Sequence, residues 1–479
     1  MADLTYDEAA HMLRRMGFGG SPDEIKALMP LGREGAVDQM INYDRLDDRE
    51  LDELLGRSFD FSDPSDFERF NRVEIQRWWL TRMIHSRRQF EEKMTLFWHN
   101  HFATAASKVF DILMFIQNRT LRAHALDRFD NLLLKVSQDP AMLIWLDGIT
   151  NVRGKPNENF ARELQELFTM GINDLVSGQP NYSEDDVKEI ARAFTGWKIA
   201  GPRGNNSNPY DFRFFINPPE HDNGPKTIYG QTANFSGEDV ITIVSARRST
   251  ARYLVKKLFD FFVYPLSSSP ADRATIEKFA DVYEGKDHSI RELVRAIFSS
   301  DEFFSSRARF GLVKSPVEIV VGAIRMLGVR HVSGTHDTDP HFLPFFTLLI
   351  GQELFNPPDV AGWNLNLGWI NTAAMLNRFL YADFISINRP NERNAPGLYL
   401  DHEQLRRHTK SSPKKTVKNF LSLLGPLPLD SKTRKALIDY LKTGPGGSAA
   451  SFTLDDRTID KKVRGLVHLI MCLSEFQLN

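Results

Sequence analysis

The sequence predicts a mainly α protein, a multi-helix globular array with a small β-hairpin insertion around residues 208–230. Three observations carry this. Serine-led helix starts recur along the chain, and apolar residues follow them at three-and-four spacing. Period-two alternation is confined to one stretch rich in Gly, Pro and Asn.

The helix starts come first. Ser21-Pro22-Asp23-Glu24 places a Ser cap before a Pro at the first helical position, with Glu three residues on. Ser183 with Asp186 and Ser269-Pro270-Ala271-Asp272 are acidic variants, and Ser315-Pro316-Val317-Glu318 repeats the first device. In each, the hydroxyl accepts from an otherwise unpaired amide, and the carboxylate faces the positive helix end. Val317, Val320, Val321, Ile324 and Leu327 then follow at helical spacing. This density implies about fifteen or more helices, and no fixed-period solenoid repeat is visible.

Residues 201–237 break the pattern. Tyr210, Phe212, Phe214 and Ile216 alternate as a short strand, and Lys226-Thr227-Ile228-Tyr229 reads as the returning one. His221 and Asp222 then sit near the hairpin tip. Residues 333–344 contain His336, Asp337, Asp339 and His341 and read as an exposed loop, because their spacing fits no standard ligand set. Residues 356–369 carry Pro357-Pro358 and two tryptophans, and a Lys-rich helical tail follows Arg389. The organisation is an N-terminal helical segment (1–60), a helical core with polar motifs (61–200), the insertion (201–237), a second helical subdomain (238–388) and a C-terminal helical tail (389–479).

Composition bounds the function. With 42% hydrophobic and 25% charged residues, the chain is globular and neither disordered nor fibrous. Sixty basic against 62 acidic residues give a net charge of −2, which makes nucleic acid an unlikely partner, Lys410, Lys414, Lys415 and Lys418 notwithstanding. A single cysteine, Cys472, forbids an internal disulfide and any Cys-built zinc site. No apolar run approaches the roughly 18 residues of a membrane span. Met1-Ala2-Asp3-Leu4 shows no export signal, so a cytoplasmic location is favoured.

Three constellations could carry chemistry. In Phe97-Trp98-His99-Asn100-His101-Phe102 the two imidazoles could share an ion on extended backbone or at a helix end, but within a regular helix they point about 200° apart. In the run from Pro156 to Gly171, Glu163 and Glu166 share a helix face and could hold a cation or work as an acid/base pair. Arg162 can equally pair with Glu166 in a solvated face. Third, His221-Asp222-Asn223-Gly224-Pro225-Lys226 suits a ligand, a general base or a self-bonded turn. Walker, dinucleotide-binding, His-Glu-x-x-His and serine-hydrolase signatures are absent. Glu-x-x-His does not occur in the carboxylate helix, which disfavours a bundle di-iron site.

These motifs resemble the bacterial family called domain of unknown function 1800. The resemblance runs in one colinear order over residues 8–385. It begins with Ala10-His11-Met12-Leu13-Arg14-Arg15-Met16-Gly17-Phe18-Gly19 and the Phe97–Phe102 motif. Next come Asn157 to Gly171, Tyr182-Ser183-Glu184-Asp185-Asp186-Val187 and Ala193-Phe194-Thr195-Gly196-Trp197. His221-Asp222, Lys314-Ser315-Pro316-Val317-Glu318 and Pro357-Pro358-Asp359-Val360-Ala361-Gly362-Trp363 complete it. The resemblance implies an uncharacterised protein whose relatives are often exported and often occur beside alkaline-phosphatase-like proteins.

Two readings follow. In one, the chain is an enzyme, a hydrolase or an oxidase, with a His/carboxylate cleft. Glu163, Glu166, His221 and Arg162 would then be catalytic, and His99, His101, Glu163, Glu166, His221 and Asp222 would be ligands suited to a first-row divalent metal. Arg162 and Lys226 would hold an anionic group. In the other, it is a non-catalytic scaffold or assembly partner. Its polar motifs then form a buried network, and Trp98, Trp197, Trp363 and Trp369 pack the helix junctions.

Overall fold

The computed structural model describes residues 3–63, 65–66, 69–202, 208–331, 342–387 and 398–479. Its helices begin where the serines predict. The Ser21, Ser183 and Ser315 hydroxyls accept from Glu24, Asp186 and Glu318 amides, and all three acids bond back as capping boxes. Ser269 caps as well, but Asp272 bonds the Ser267 amide instead of its own cap residue. No helix among the described residues is long and apolar enough to cross a membrane.

Two hydrophobic clusters make up most of the core. The first joins the N-terminal helices to residues 90–308. The second joins residues 51–115 to residues 317–476, the helical tail included. The Gln89–His101 helix walls both: Phe90, Met94, Phe97 and Trp98 enter the first, Leu96 the second. Every residue of this helix except Glu91 is buried. A helix enclosed on all sides must find partners for each polar side chain it carries. All four tryptophans singled out above are buried, with Trp363 and Trp369 packed on Val313 in a small third cluster.

A hairpin-like insertion is present, but its strands pair differently from the expectation. Arg213–Ile216 runs antiparallel to Trp197–Ala200, and Lys226–Ile228 pairs with Gln231–Ala233. Two prolines in the Pro218–Glu220 turn stop the first ladder from continuing. Tyr229 and Gly230 both take positive φ, 47° and 78°, which suits the two-residue turn that closes the second. His221 and Asp222 therefore lie in the link between two ladders, not at a tip. A third ladder joins Arg330–His331 to Leu398–Tyr399. The His336–His341 loop lies outside the described residues.

Candidate functional site

The paired histidines end the Gln89–His101 helix and face different neighbours. His99 Nε2 accepts the Phe355 backbone N–H at 3.0 Å, with Trp79, Phe355 and Trp363 rings around it. Next to it, Asn100 Oδ1 accepts the Trp363 N–H at 2.7 Å. These two side chains hold the 355–363 segment. The fit also needs Gly362: at φ +81° a Cβ there would lie 2.4 Å from the Asn100 carbonyl oxygen. His101 Nε2 donates to the Phe168 carbonyl at 2.9 Å, while its Nδ1 is buried among rings without a partner. Burial lowers both imidazoles to about 3, so they are neutral at ordinary pH.

The carboxylate helix changes pitch in mid-course. Asn159–Glu163 is α-helical and Leu164–Thr169 is a π-turn, closed by Met170 and by Gly171 at φ +77°. A wide turn disturbs the usual carbonyl pairing, and side chains from elsewhere engage it. His101 donates to Phe168 O, Tyr253 to Leu167 O at 3.1 Å, and Tyr229 to Gln165 Oε1 at 2.8 Å. The role of His101 follows from this geometry: it satisfies a backbone acceptor.

On the outer side, the expected four-residue pairing of Arg162 with Glu166 is long, at 3.8 Å. Arg162 instead grips Glu184 with two bonds of 2.9 and 2.8 Å, and Glu158 lies at 3.4 Å. These bonds, led by the one to Glu184, hold its guanidinium charged. Glu166 accepts a short hydrogen bond from Tyr182. Glu163 is half-buried, and burial with the neighbouring Glu166 charge raises its carboxyl above the usual range.

The inter-ladder link is also tied to the fold by hydrogen bonds. His221 Nδ1 donates to the Thr195 carbonyl at 2.8 Å, and Thr195 Oγ1 accepts the Asp222 N–H. Asp222 takes Arg192 Nε at 2.8 Å and the Gly224 N–H at 2.8 Å; Arg192 above all holds it near 2. Lys226 is spent on Gly224 O and Asn234 Oδ1. A groove of about 630 Å³ beside the link is lined by Asp185, Asp186, Lys188, Glu189, Thr227 and Tyr229, and by none of the proposed ligands.

His99, His101, Glu166, His221 and Asp222 thus have separate engagements, and among the described residues no three His, Cys, Asp or Glu side chains are grouped to hold a metal. The donors do not fit a shared cation: His99 spends its Nε2 lone pair on a backbone amide, and Asp222 is neutralised by Arg192.

Sequence reasoning missed a stronger polar centre. Glu92, fully buried, accepts from Trp79 Nε1 (2.9 Å), Arg82 Nε (2.9 Å) and Arg122 Nε and Nη2 (2.9 and 2.8 Å). Burial pushes its carboxyl up, but the two guanidinium groups outweigh it and hold the carboxyl near 2. The adjacent Lys93, also buried, bonds Glu318, whose carboxylate takes the Ser315 N–H (2.6 Å) and Asn479 Nδ2 (2.7 Å) as well. The available signal was a Glu-Lys pair between the apolar Phe90 and Met94.

A family profile described as protein of unknown function (DUF1800) matches residues 11–478. No curated protein matches the chain. No solved structure matches it.

Proposed function

We propose, from the premise that the chain belongs to the DUF1800 family, that it is a non-catalytic helical assembly partner. Its buried signature residues, His99, Asn100 and His101 among them, act as internal struts, and an apolar face docks another protein. The observation that carries this is that face. On the Leu343–Ile350 helix and its preceding residue, Phe342, Phe345 and Leu348 are exposed, and on the Thr372–Ile387 helix so are Leu376, Phe379, Leu380 and Ile387. Phe342 packs on Phe384, and Asn377 donates to the Leu349 carbonyl, so the helices run antiparallel and bring these side chains level. Exposed apolar clusters of this kind mark interaction surfaces. The occupant we propose is the alkaline-phosphatase-like protein that the family resemblance implies. Co-expression with that protein tests the reading: the wild-type chain co-purifies with it, and the Phe345→Asp/Leu380→Asp variant, still folded by circular dichroism, does not. Undiminished co-purification of the variant, or none with the wild type, contradicts it.

Glu163 favours a second reading, acid/base catalysis without a shared metal. Burial and the Glu166 charge raise its half-buried carboxyl, so it holds its proton more readily than an ordinary glutamate, as a general acid needs. Melting of Glu163→Gln separates the two. A fall of many degrees marks a strut, whereas unchanged melting leaves the carboxyl free for chemistry.

A further inference from the structure

We propose that a cleft lined by none of the His/carboxylate candidates, between the Tyr6–Arg15 helix, the 305–311 turn and the Pro413–Leu423 and Ser431–Leu441 helices, binds a small molecule through its phosphate group. The cleft holds about 500 Å³, within the range of small-molecule sites. Four cations, Arg14, Arg309, Lys418 and Arg434, line it against one acid, Asp7.

Arg14 carries the argument. It is only 4% exposed, yet its Nε and Nη1 are buried without hydrogen-bond partners. Arg15 beside it also leaves Nε and Nη1 unpartnered, but its Nη2 donates to the Val263 and Ala308 carbonyls at 3.0 and 2.6 Å, and Arg122 has Glu92. A buried, unpaired charge is costly, and an arriving oxyanion would relieve that cost. Burial already weakens the hold of Arg14 on its proton, with Arg309 acting in the same direction and Asp7 opposing. The guanidinium stacks on the Phe310 ring at 4.5 Å, which fixes the plane of its donors. Arg309 is hardly better paired: its Nε is buried and unpartnered, and the Glu8 oxygen 3.7 Å away bonds Arg33 at 2.7 Å. Planar guanidinium forks match phosphate oxygens, and the excess of cations suits a dianion. Leu421 and Leu427 offer a wall for an apolar body attached to it.

The test is calorimetric titration and thermal melting of the full chain at low ionic strength. Inorganic phosphate and phenyl phosphate are the probes, benzoate is the carboxylate control, and chloride matches the ionic strength. The expected result is saturable binding of both phosphates, tighter for phenyl phosphate, with a rise in melting temperature that chloride does not reproduce. Lys418→Ala/Arg434→Ala, a change at the rim, should weaken binding tenfold or more. Arg14→Met should abolish it and, without ligand, melt no lower than wild type. Three results would overturn the proposal: no saturable binding of either phosphate, equal binding of benzoate and phenyl phosphate, or undiminished affinity in the rim variant.

Discussion

Two polar regions of this protein contain the same residue types and differ in what surrounds them. Around Glu92, two arginines and an indole close on one carboxylate inside the core. On the Asn159–Glu163 helix and its π-turn, Arg162 meets Glu158, Glu166 and Glu184 at a face water can reach. The interior charges cannot be released without leaving partners stranded in a medium of low polarity. Those on the outer face can trade protein partners for water at little cost. Density of charge in the sequence is therefore a poor guide to importance for the fold: the acid-rich helix is the conspicuous one, and the single acid at position 92 bears more.

The largest effect should come from opening the interior centre. Glu92→Gln leaves Arg82 and Arg122 uncompensated and should cost ~3–5 kcal/mol in urea unfolding; a loss below about 1 kcal/mol would erase the contrast. His99→Ala should cost ~2–4 kcal/mol, from a cavity and an orphaned Phe355 amide. It should do so without changing bound-metal content by elemental analysis.

Acidity sharpens the same comparison. Unfolded histidine titrates near 6.5, whereas His99 and His101 are held to about 3 by burial. As the pH falls from 6.5 towards 3 the unfolded chain gains protons that the folded one refuses, so stability should drop over that window. Glu92, held near 2, adds a further loss below about 4.5, the range of an unfolded glutamate. Urea midpoints at pH 7.5, 5.5 and 4 check this, and a flat profile contradicts it. The smallest effect belongs to the outer face: Arg162→Ala should change stability by less than about 1 kcal/mol, less still in high salt.

The fold class was legible because caps and apolar spacing are local signals. Ser21, Ser183 and Ser315 fold as their neighbours dictate. The strand pairing was not, since Arg213–Ile216 chooses a partner that precedes it by more than ten residues rather than the one that follows. The π-turn at Leu164–Thr169 was also hidden, because its support comes from His101, Tyr229 and Tyr253, distant along the chain. His99 and His101 were recognisable as unusual residues on a buried helix. Their partners, backbone groups of Phe355 and Phe168, have no signature at all, because every residue but proline supplies both an N–H and a carbonyl.

Amide hydrogen exchange across residues 354–363 of the wild-type chain tests most directly whether the signature side chains are already occupied by the fold. If His99 and Asn100 hold this segment, the Phe355 and Trp363 amides exchange only with global unfolding, and His99→Ala releases Phe355 first. Exchange of both amides within seconds in the unaltered protein would mean that these side chains are free, and the strut account would fail.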